Sequence, residues 1–286
     1  MTAFVEALAN HAFLRNALLA GVLASVASGV VGSYVVVRRM SSVAGGIAHC
    51  VLGGIGAAVY LEHARGWGFL HPLHGALAAA LVAAIVIGVL GLKARERVDT
   101  AIGVTWAVGM AAGVLFLFRT PGYGQDLVSY LFGNILMVTP AHLWLVAALD
   151  VLILAAAIRY QNGLLSSSFD EEFAAARGLG VAFHHMLLAV LTALTVVLLV
   201  SVVGIVMSIA LLTIPPAIAG RYTTRLVSMM VLAGVLCALL TTGGLAASYS
   251  LDLPAGATIV LLSGGAYLIF VPAARVLTRR ARRSAA

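Results

Sequence analysis

Long apolar stretches follow one another along most of the chain, and only short polar or charged breaks separate them. Each stretch approaches the roughly 20 residues that an α-helix needs to cross a lipid bilayer. The pattern therefore predicts an all-α, polytopic membrane protein with about nine transmembrane helices. We place these helices at residues 17–37, 42–61, 75–92, 100–118, 140–158, 181–201, 203–220, 226–244 and 257–277.

The polar segments are too short to build a second domain, so residues 1–286 form a single transmembrane domain. Residues 1–16 mix polar and apolar side chains without a small-residue cleavage site, which favours an external interfacial helix over a cleaved signal peptide. Residues 120–134 are too short to span, and indicate an external turn with a re-entrant or surface helix. Residues 278–286 form a basic cytoplasmic tail.

The boundary between the sixth and seventh stretches is the weakest, because hardly any polar residue interrupts the sequence around Gly204. Two separate helices and one long kinked helix both fit this pattern. The adjacent Pro215 and Pro216 cannot continue a regular ladder of backbone hydrogen bonds, so we expect the helix to bend or end at this pair.

The composition supports a membrane location, since 62% of the residues are hydrophobic and 9% are charged, against about 25% charged in soluble domains. The net charge is +7, but the placement of the charges is more informative than their sum, and no nucleic-acid partner is expected. If the Arg38 end of the first stretch is cytoplasmic, all basic residues except Arg15, Arg65 and Arg119 lie on or near that side. The positive-inside rule then predicts an external N-terminus and a cytoplasmic C-terminus.

Residues 161–180 form the longest polar interruption, and they lie on the predicted cytoplasmic side. The segment predicts a short helix of its own, because Ser168 can cap it, the acids of 170–172 suit its first turn, and Gly178 can end it. Such a helix either links two spans along the membrane surface or docks into a partner protein. Composition alone leaves both alternatives open.

Seven segments, in order, resemble the ABC-3 family, the membrane permease subunits of bacterial ABC importers for zinc, manganese or iron. They cover nearly the whole chain, and they include GGIAHCVLGGIG, FDEEFAAARGLGV and VVGIVMSIALLTIPPAIAGR. The resemblance implies the ABC importer permease fold in a bacterial plasma (inner) membrane. It also implies transport by alternating access, in which the helices open to one side of the membrane at a time.

The resemblance implies several partners as well. Two permease copies, expected to be identical, would combine with cytoplasmic ABC ATPase subunits and an extracytoplasmic metal-binding protein. A divalent transition-metal ion, with zinc expected first and manganese or iron as alternatives, would be the substrate, and no permanently bound cofactor is implied. The helix within residues 161–180 would be a coupling helix that contacts the ATPase through Asp170, Glu171, Glu172, Phe173, Ala174, Arg177 and Gly178.

The chain carries no ATP-binding motif of its own. Its single lysine, Lys93, follows Leu92 rather than a glycine, which excludes the phosphate-binding G-x-x-x-x-G-K-[ST] loop. The H-E-x-x-H pair of a membrane metalloprotease is also missing from the sequence. We therefore expect a transport subunit and not an enzyme. A permease for a larger metal chelate and an ion-coupled secondary transporter are the alternatives.

A cation cannot enter hydrocarbon without ligands, so polar residues within the spans are candidate ligands. The family's second span usually reads GDAISHA, in which an Asp and a His four residues apart share one helical face. Here the segment is AGGIAHC, so His49 carries over as a metal ligand while Gly45 replaces the acid. The alternative role for His49 is helix packing, with the imidazole hydrogen-bonded to a neighbouring carbonyl.

Two further groups of residues are candidate metal ligands. Asp150 lies near the middle of the fifth stretch, where a charge is costly without a partner, and it could supply the missing acid together with His142. A protonated or hydrogen-bonded carboxyl that packs against a polar neighbour is the alternative for Asp150. His63, His71 and His74 cluster on the external side, and their imidazoles suit zinc, nickel, copper or iron better than manganese. The alternative for these three is a solvated loop that binds no metal.

Overall fold

The computed structural model of the chain describes residues 2–93, 98–121, 131–133 and 135–284. Within these ranges, nine helices are long and apolar enough to cross a membrane, which confirms the predicted all-α, polytopic fold. The helices are α1 Thr2–Asn10, α2 Ala12–Val37, α3 Ser41–Arg65, α4 Pro72–Lys93, α5 Val98–Arg119, α6 Pro140–Arg159, α7 Gln161–Phe169, α8 Glu171–Ala176, α9 Val181–Val203, α10 Ile205–Tyr222, α11 Leu226–Leu251 and α12 Ala255–Ser284.

Helices α2, α3 and α9 form the buried centre of the bundle. Helix α2 packs against α6, α10 and α11, and α9 packs against α2 and α4. Helix α3 packs against α4 and α5, while α12 packs against α10 and α11. The outer faces of α5, α6 and α11 carry exposed large apolar side chains, among them Val108, Trp144 and Val231. Such faces suit contact with lipid hydrocarbon, because a helix that is apolar all round is stable only when it is buried in protein or membrane.

Glycines allow α3 and α5 to approach each other closely. A Cβ atom on Gly53 would lie 2.7 Å from the carbonyl oxygen of Gly109, and one on Gly56 would lie 2.7 Å from the carbonyl oxygen of Gly113. Both distances are shorter than real side-chain contacts, so glycine is the residue that fits there without a shift. Close backbone approach through small residues is a common way for helices to associate in lipid. The same seam brings α5 against the face of α3 that carries His49.

Helices α9 and α10 are separate, because Gly204 adopts a positive φ of 81° between them. We expected the helix to bend or to end at the proline pair; an end is wrong, since α10 continues through Pro215 and Pro216. Pro215 has no N–H for the carbonyl of Leu211, the acceptor one turn earlier. Ser28 Oγ on α2 donates to that carbonyl at 2.6 Å. A side chain of a neighbouring helix thus replaces the missing backbone donor.

The first span begins earlier than the sequence pattern indicated. Helix α2 starts at Ala12, after the short helix α1, and not at residue 17. Arg15 fits within the first turns of α2 because its Nη1 donates to the carbonyl of Ala9 at 2.9 Å, back towards α1. Most of the predicted external segment at residues 120–134 lies outside the described residues, which leave out 122–130 and 134.

Candidate functional site

His49 lies in the first half of α3, and its ring faces α5. The imidazole stacks on Trp106, with the ring centroids 4.2 Å apart and the ring planes inclined by 8°. Its Nδ1 atom is buried and has no hydrogen-bond partner among the described residues. The alternative role for His49 was helix packing, with the imidazole hydrogen-bonded to a neighbouring carbonyl. Nδ1 makes no such hydrogen bond. A buried polar atom without a partner within a span makes His49 a candidate for binding.

Gly45, at the position of the family's acid, lies one helical turn before His49 and faces the same indole. A Cβ atom on Gly45 would meet a single neighbouring side chain, at 4.0 Å from Cζ3 of Trp106. That distance is an ordinary van der Waals contact, so a Cβ atom fits at this position without displacing its neighbours. Trp106 itself is 40% exposed and donates its Nε1 hydrogen to Sδ of Met110. Trp106 therefore covers the side of α3 on which His49 lies.

Asp150 lies in the middle of α6 and is only 4% exposed. Its carboxyl group faces the backbone of Ala27 on α2, but neither oxygen forms a hydrogen bond of ordinary geometry with the described residues. Helix α6 packs against α2 and α9, whereas His49 stacks on a residue of α5. No hydrogen bond joins Asp150 to His49 in the described structure, and the two residues occupy different helix interfaces.

Two histidines line one cavity at the end of the bundle that lies opposite Arg38. His71 and His142 face a space of about 220 Å³ together with Ser201. Nδ1 of His71 accepts a hydrogen bond from the backbone N–H of Leu73 at 3.3 Å, and Nδ1 of His142 lies 3.0 Å from Oγ1 of Thr139, which caps α6. These contacts fix both rings at helix N-termini. Each ring can then present Nε2 to the cavity.

His63 and His74 do not line this cavity. Nδ1 of His63 lies 3.0 Å from the carbonyl oxygen of Val59, one turn earlier on α3. Nδ1 of His74 accepts from the backbone N–H of His71 at 3.3 Å. Within the described ranges, no three side chains of His, Cys, Asp or Glu lie close enough together to hold a metal ion. The structure of one chain therefore brings His71 and His74 near each other, but it does not assemble the predicted ligands into one centre.

The predicted coupling helix corresponds to α8, a single short helix between α7 and α9. The prediction that Ser168 caps it is wrong, because α7 extends to residue 169 and Ser168 Oγ bonds within that helix. Asp170 is the cap, and its carboxylate accepts a hydrogen bond from the backbone N–H of Phe173 at 2.9 Å. The helix ends at Ala176 with Arg177 as its C-cap, and Gly178 follows with a positive φ of 75°. Gly178 thus ends the coupling helix as predicted.

One face of α8 is directed away from the bundle. Phe173 is 54% exposed, and Glu172 and Arg177 are exposed beside it. The guanidinium group of Arg177 lies over the Phe173 ring, 5.5 Å from the ring centroid. Arg159 makes a similar contact with Tyr160, at 5.3 Å. Ala174 on the other face is fully buried. An exposed aromatic side chain beside charged residues on a rigid, capped helix is a suitable docking surface.

The sequence profile of the ABC 3 transport family matches residues 10–274. This chain belongs to that family. An uncharacterized membrane protein of Synechocystis is 43% identical to this ABC-3 family chain, over 93% of the chain and 92% of its own length. A manganese transport system membrane protein of Listeria monocytogenes is 34% identical, over 91% of this chain and 90% of its own length.

Among solved structures, PsaBC from Streptococcus pneumoniae in complex with Fab has a chain of the same fold. It shares 33% sequence identity and a TM-score of 0.84, and the match covers 98% of this chain and 100% of that one. The family match and this likeness confirm the predicted resemblance. The chain is a multi-pass membrane permease of the ABC-3 type.

Sequence reasoning missed two residues of this ABC-3 permease that the structure places beside the predicted ones. Trp106 stacks on His49, and Arg38 forms an ion pair with Glu171 of α8. In the sequence, Trp106 is a tryptophan within an apolar span, and Arg38 indicates membrane orientation. Neither signal names a partner, because each contact joins residues far apart in the sequence.

Proposed function

We propose that this permease carries a divalent transition-metal ion across a bacterial plasma membrane by alternating access, driven by cytoplasmic ATPase subunits. The ion is the substrate and is not held permanently. His49 is the observation that carries the proposal, because it is an imidazole in an apolar span whose buried Nδ1 has no partner among the described residues. Imidazole nitrogen is a common ligand of transition metals.

We propose manganese as the first candidate for the ion. Its support is the manganese transport system membrane protein of Listeria monocytogenes, a relative that matches along nearly its whole length. The comparisons give no specific support to zinc, which the sequence analysis placed first. Zinc remains the second candidate for one reason: an imidazole without a neighbouring carboxylate suits zinc better than manganese, and Gly45 removes the carboxylate.

A single imidazole is a poor metal site, because transition-metal sites in proteins usually have three or four protein ligands. We propose that a second copy of the chain contributes a second His49, so that two imidazoles meet the ion in the assembled transporter. Backbone carbonyls and water molecules would complete its coordination. The metal reaches this site from an extracytoplasmic metal-binding protein, at the end of the bundle where α3 finishes and α4 begins.

We propose that α8 docks into the cytoplasmic ATPase through its exposed face, which carries Phe173, Glu172 and Arg177. The chain lacks a phosphate-binding lysine loop, so the partner hydrolyses ATP. This arrangement places the end of α2 with Arg38 in the cytoplasm, with the N-terminus outside and the C-terminus inside.

Asp150, His63, His71 and His74 stay predicted metal ligands. For Asp150 the structure offers support in one respect, since both carboxyl oxygens lack a hydrogen-bond partner among the described residues. For the external histidines the support is the cavity that His71 lines. We expect these residues to act before or after His49 along the path, because the described structure pairs none of them with it.

The proposal is tested in a complex of this chain with its ATPase, reconstituted in liposomes that contain the metal-binding protein outside. Uptake of manganese, zinc and iron(II) and ATP hydrolysis are measured in parallel, for the wild type, His49→Ala and His11→Ala. His11 is an exposed histidine outside the proposed site, so His11→Ala controls for loss of an imidazole. We expect uptake in His49→Ala to fall at least about tenfold, the lower bound for outer-shell changes at metal sites.

Two results contradict the proposal. Uptake in His49→Ala equal to that of the wild type would remove His49 from the path. Uptake that needs no ATPase and follows an applied proton or sodium gradient would favour the ion-coupled secondary transporter. If zinc but not manganese is transported, the family role stands and the choice of ion is wrong.

A further inference from the structure

Arg38 and Glu171 join the coupling helix to the membrane helices. Nη2 of Arg38, at the end of α2, forms an ion pair with Oε1 of Glu171, the first residue of α8. The Arg38 side chain is only 7% exposed, whereas that of Glu171 is 36% exposed. Burial lowers the pKa of Arg38 and the carboxylate of Glu171 raises it. A buried guanidinium group therefore depends on this carboxylate for its charge balance.

Both residues also suit the helix ends at which they lie. Arg38 caps the C-terminus of α2, where the helix dipole favours a positive charge. Glu171 lies in the first turn of α8, where the dipole favours a negative charge. The pair is 133 residues apart in the sequence. It joins the start of α8 to the end of α2.

The turn after Arg38 leads directly into the helix that carries His49. Arg39 has a positive φ of 57°, and the N–H of Met40 donates to the carbonyl of Val35 at 2.8 Å. These features make a tight, hydrogen-bonded turn of the kind that closes a helix C-terminus. Helix α3 begins at Ser41. His49 follows about 12 Å along its axis, at roughly 1.5 Å for each residue.

The ion pair also has room to move. Arg38, Glu171 and His185 of α9 line a cavity of about 390 Å³ between the ends of α2, α4 and α9. Nη1 of Arg38 has no hydrogen-bond partner among the described residues. Side chains that border a space of this size have room to shift. The pair is therefore not enclosed in a close-packed core.

We propose that the Arg38–Glu171 ion pair transmits the movement of the coupling helix to α3, so that the ATPase repositions His49 through it. The inference rests on the proposed function, since it assumes that an ATPase binds α8. It makes Arg38 and Glu171 positioning residues, because neither contacts the ion. Force passes from α8 to Glu171, then to Arg38 and its turn, and then along α3.

The first experiment measures how many metal ions the reconstituted complex transports for each ATP that it hydrolyses. The decisive variant is the double substitution Arg38→Gln/Glu171→Gln, because it removes both charges and leaves no unpaired buried one. We expect its transport per ATP to fall at least about fivefold, the lower end of measured coupling between sites. ATP hydrolysis and copurification of the ATPase should stay at the wild-type level.

Two further variants separate coupling from folding. Arg39→Gln removes an exposed arginine from the same turn and should leave transport per ATP unchanged. Arg38→Lys keeps the positive charge and should retain more transport per ATP than Arg38→Gln. Equal transport per ATP in the double variant and the wild type would overturn the proposal. So would an equal loss in Arg39→Gln, because the effect would then belong to the turn and not to the ion pair.

A second measurement does not depend on the cargo. The two native cysteines, Cys50 and Cys237, are first replaced by alanine. Spin labels are then attached at Ala64→Cys, near the end of α3, and at Ser250→Cys, near the end of α11. The distance between the two labels reports the position of α3. Binding of a non-hydrolysable ATP analogue to the complex should change this distance in the wild type and leave it unchanged in the double variant. The same change in both would overturn the proposal. If the wild type transports no metal but shows the nucleotide-dependent change, the proposed cargo is wrong and the linkage stands.

Discussion

Restoring an acid at position 45 should strengthen metal binding by this permease. The substitution Gly45→Asp adds a carboxylate one turn before His49, on the same helical face. The structure leaves room for its Cβ atom, because the nearest neighbouring atom is Cζ3 of Trp106 at 4.0 Å. Carboxylate oxygen is also the ligand type that manganese prefers. We therefore expect a two-ligand site in each chain of the assembled transporter.

The energetic effect depends on whether metal is present. Without metal, a carboxylate within a span costs about 2.5–3.5 kcal/mol, while replacing a helical glycine recovers a few tenths of a kcal/mol. The metal-free variant should thus be about 2–3 kcal/mol less stable than the wild type. A metal ion at about 100 times its dissociation constant restores about 2.7 kcal/mol. Saturating metal should therefore recover most of the lost stability.

Thermal unfolding of the purified complex in detergent, with manganese or zinc titrated in, measures both effects. We expect the metal affinity of Gly45→Asp to exceed that of the wild type at least about tenfold, by about 1.4 kcal/mol or more. Gly103→Asp is the matched control, because a Cβ there meets nothing within 4 Å and the site is exposed on α5. An equal gain in Gly103→Asp, or no gain in Gly45→Asp, would refute the reasoning. The gain should disappear in Gly45→Asp/His49→Ala.

Three further outcomes follow from particular contacts. Gly53→Ala should lower the free energy of unfolding by about 1–3 kcal/mol, because its Cβ would lie 2.7 Å from a carbonyl oxygen of α5. An unchanged unfolding temperature would mean that α3 and α5 move apart easily. Ser28→Ala should cost about 1–3 kcal/mol by leaving the Leu211 carbonyl without its donor, which thermal unfolding in detergent also measures. Phe173→Ala should reduce copurification of the ATPase without changing the unfolding temperature of the isolated chain, and full copurification would exclude this face of α8 as the dock.

Much of the fold could be predicted because the bilayer imposes one length on every span. The nine apolar stretches and the short polar breaks between them correspond to the nine long helices, with ends that shift by a few residues. Local rules also placed the short helix α8 near Asp170 and its end near Gly178, since acids and glycine act on the backbone within one turn. The cap moved from Ser168 to Asp170 because α7 extends to residue 169.

What each polar residue contacts was decided by the packing of helices. His49 stacks on Trp106 because paired glycines on α3 and α5 bring those helices together, and the sequence does not state which glycines pair. Asp150 faces α2 and not His49 for the same kind of reason. Ser28, on another helix, supplies a donor to the Leu211 carbonyl that Pro215 leaves without one.

The sequence by itself thus determined that the chain crosses a membrane, where most of its spans lie and where the short helix α8 lies, because lipid and the local backbone set those properties. The tertiary structure alone decided which side chains meet. Within a bilayer, apolar faces differ little in their attraction for one another, so close contacts of small residues and single hydrogen bonds select the partners. Those contacts join residues as distant in sequence as Arg38 and Glu171.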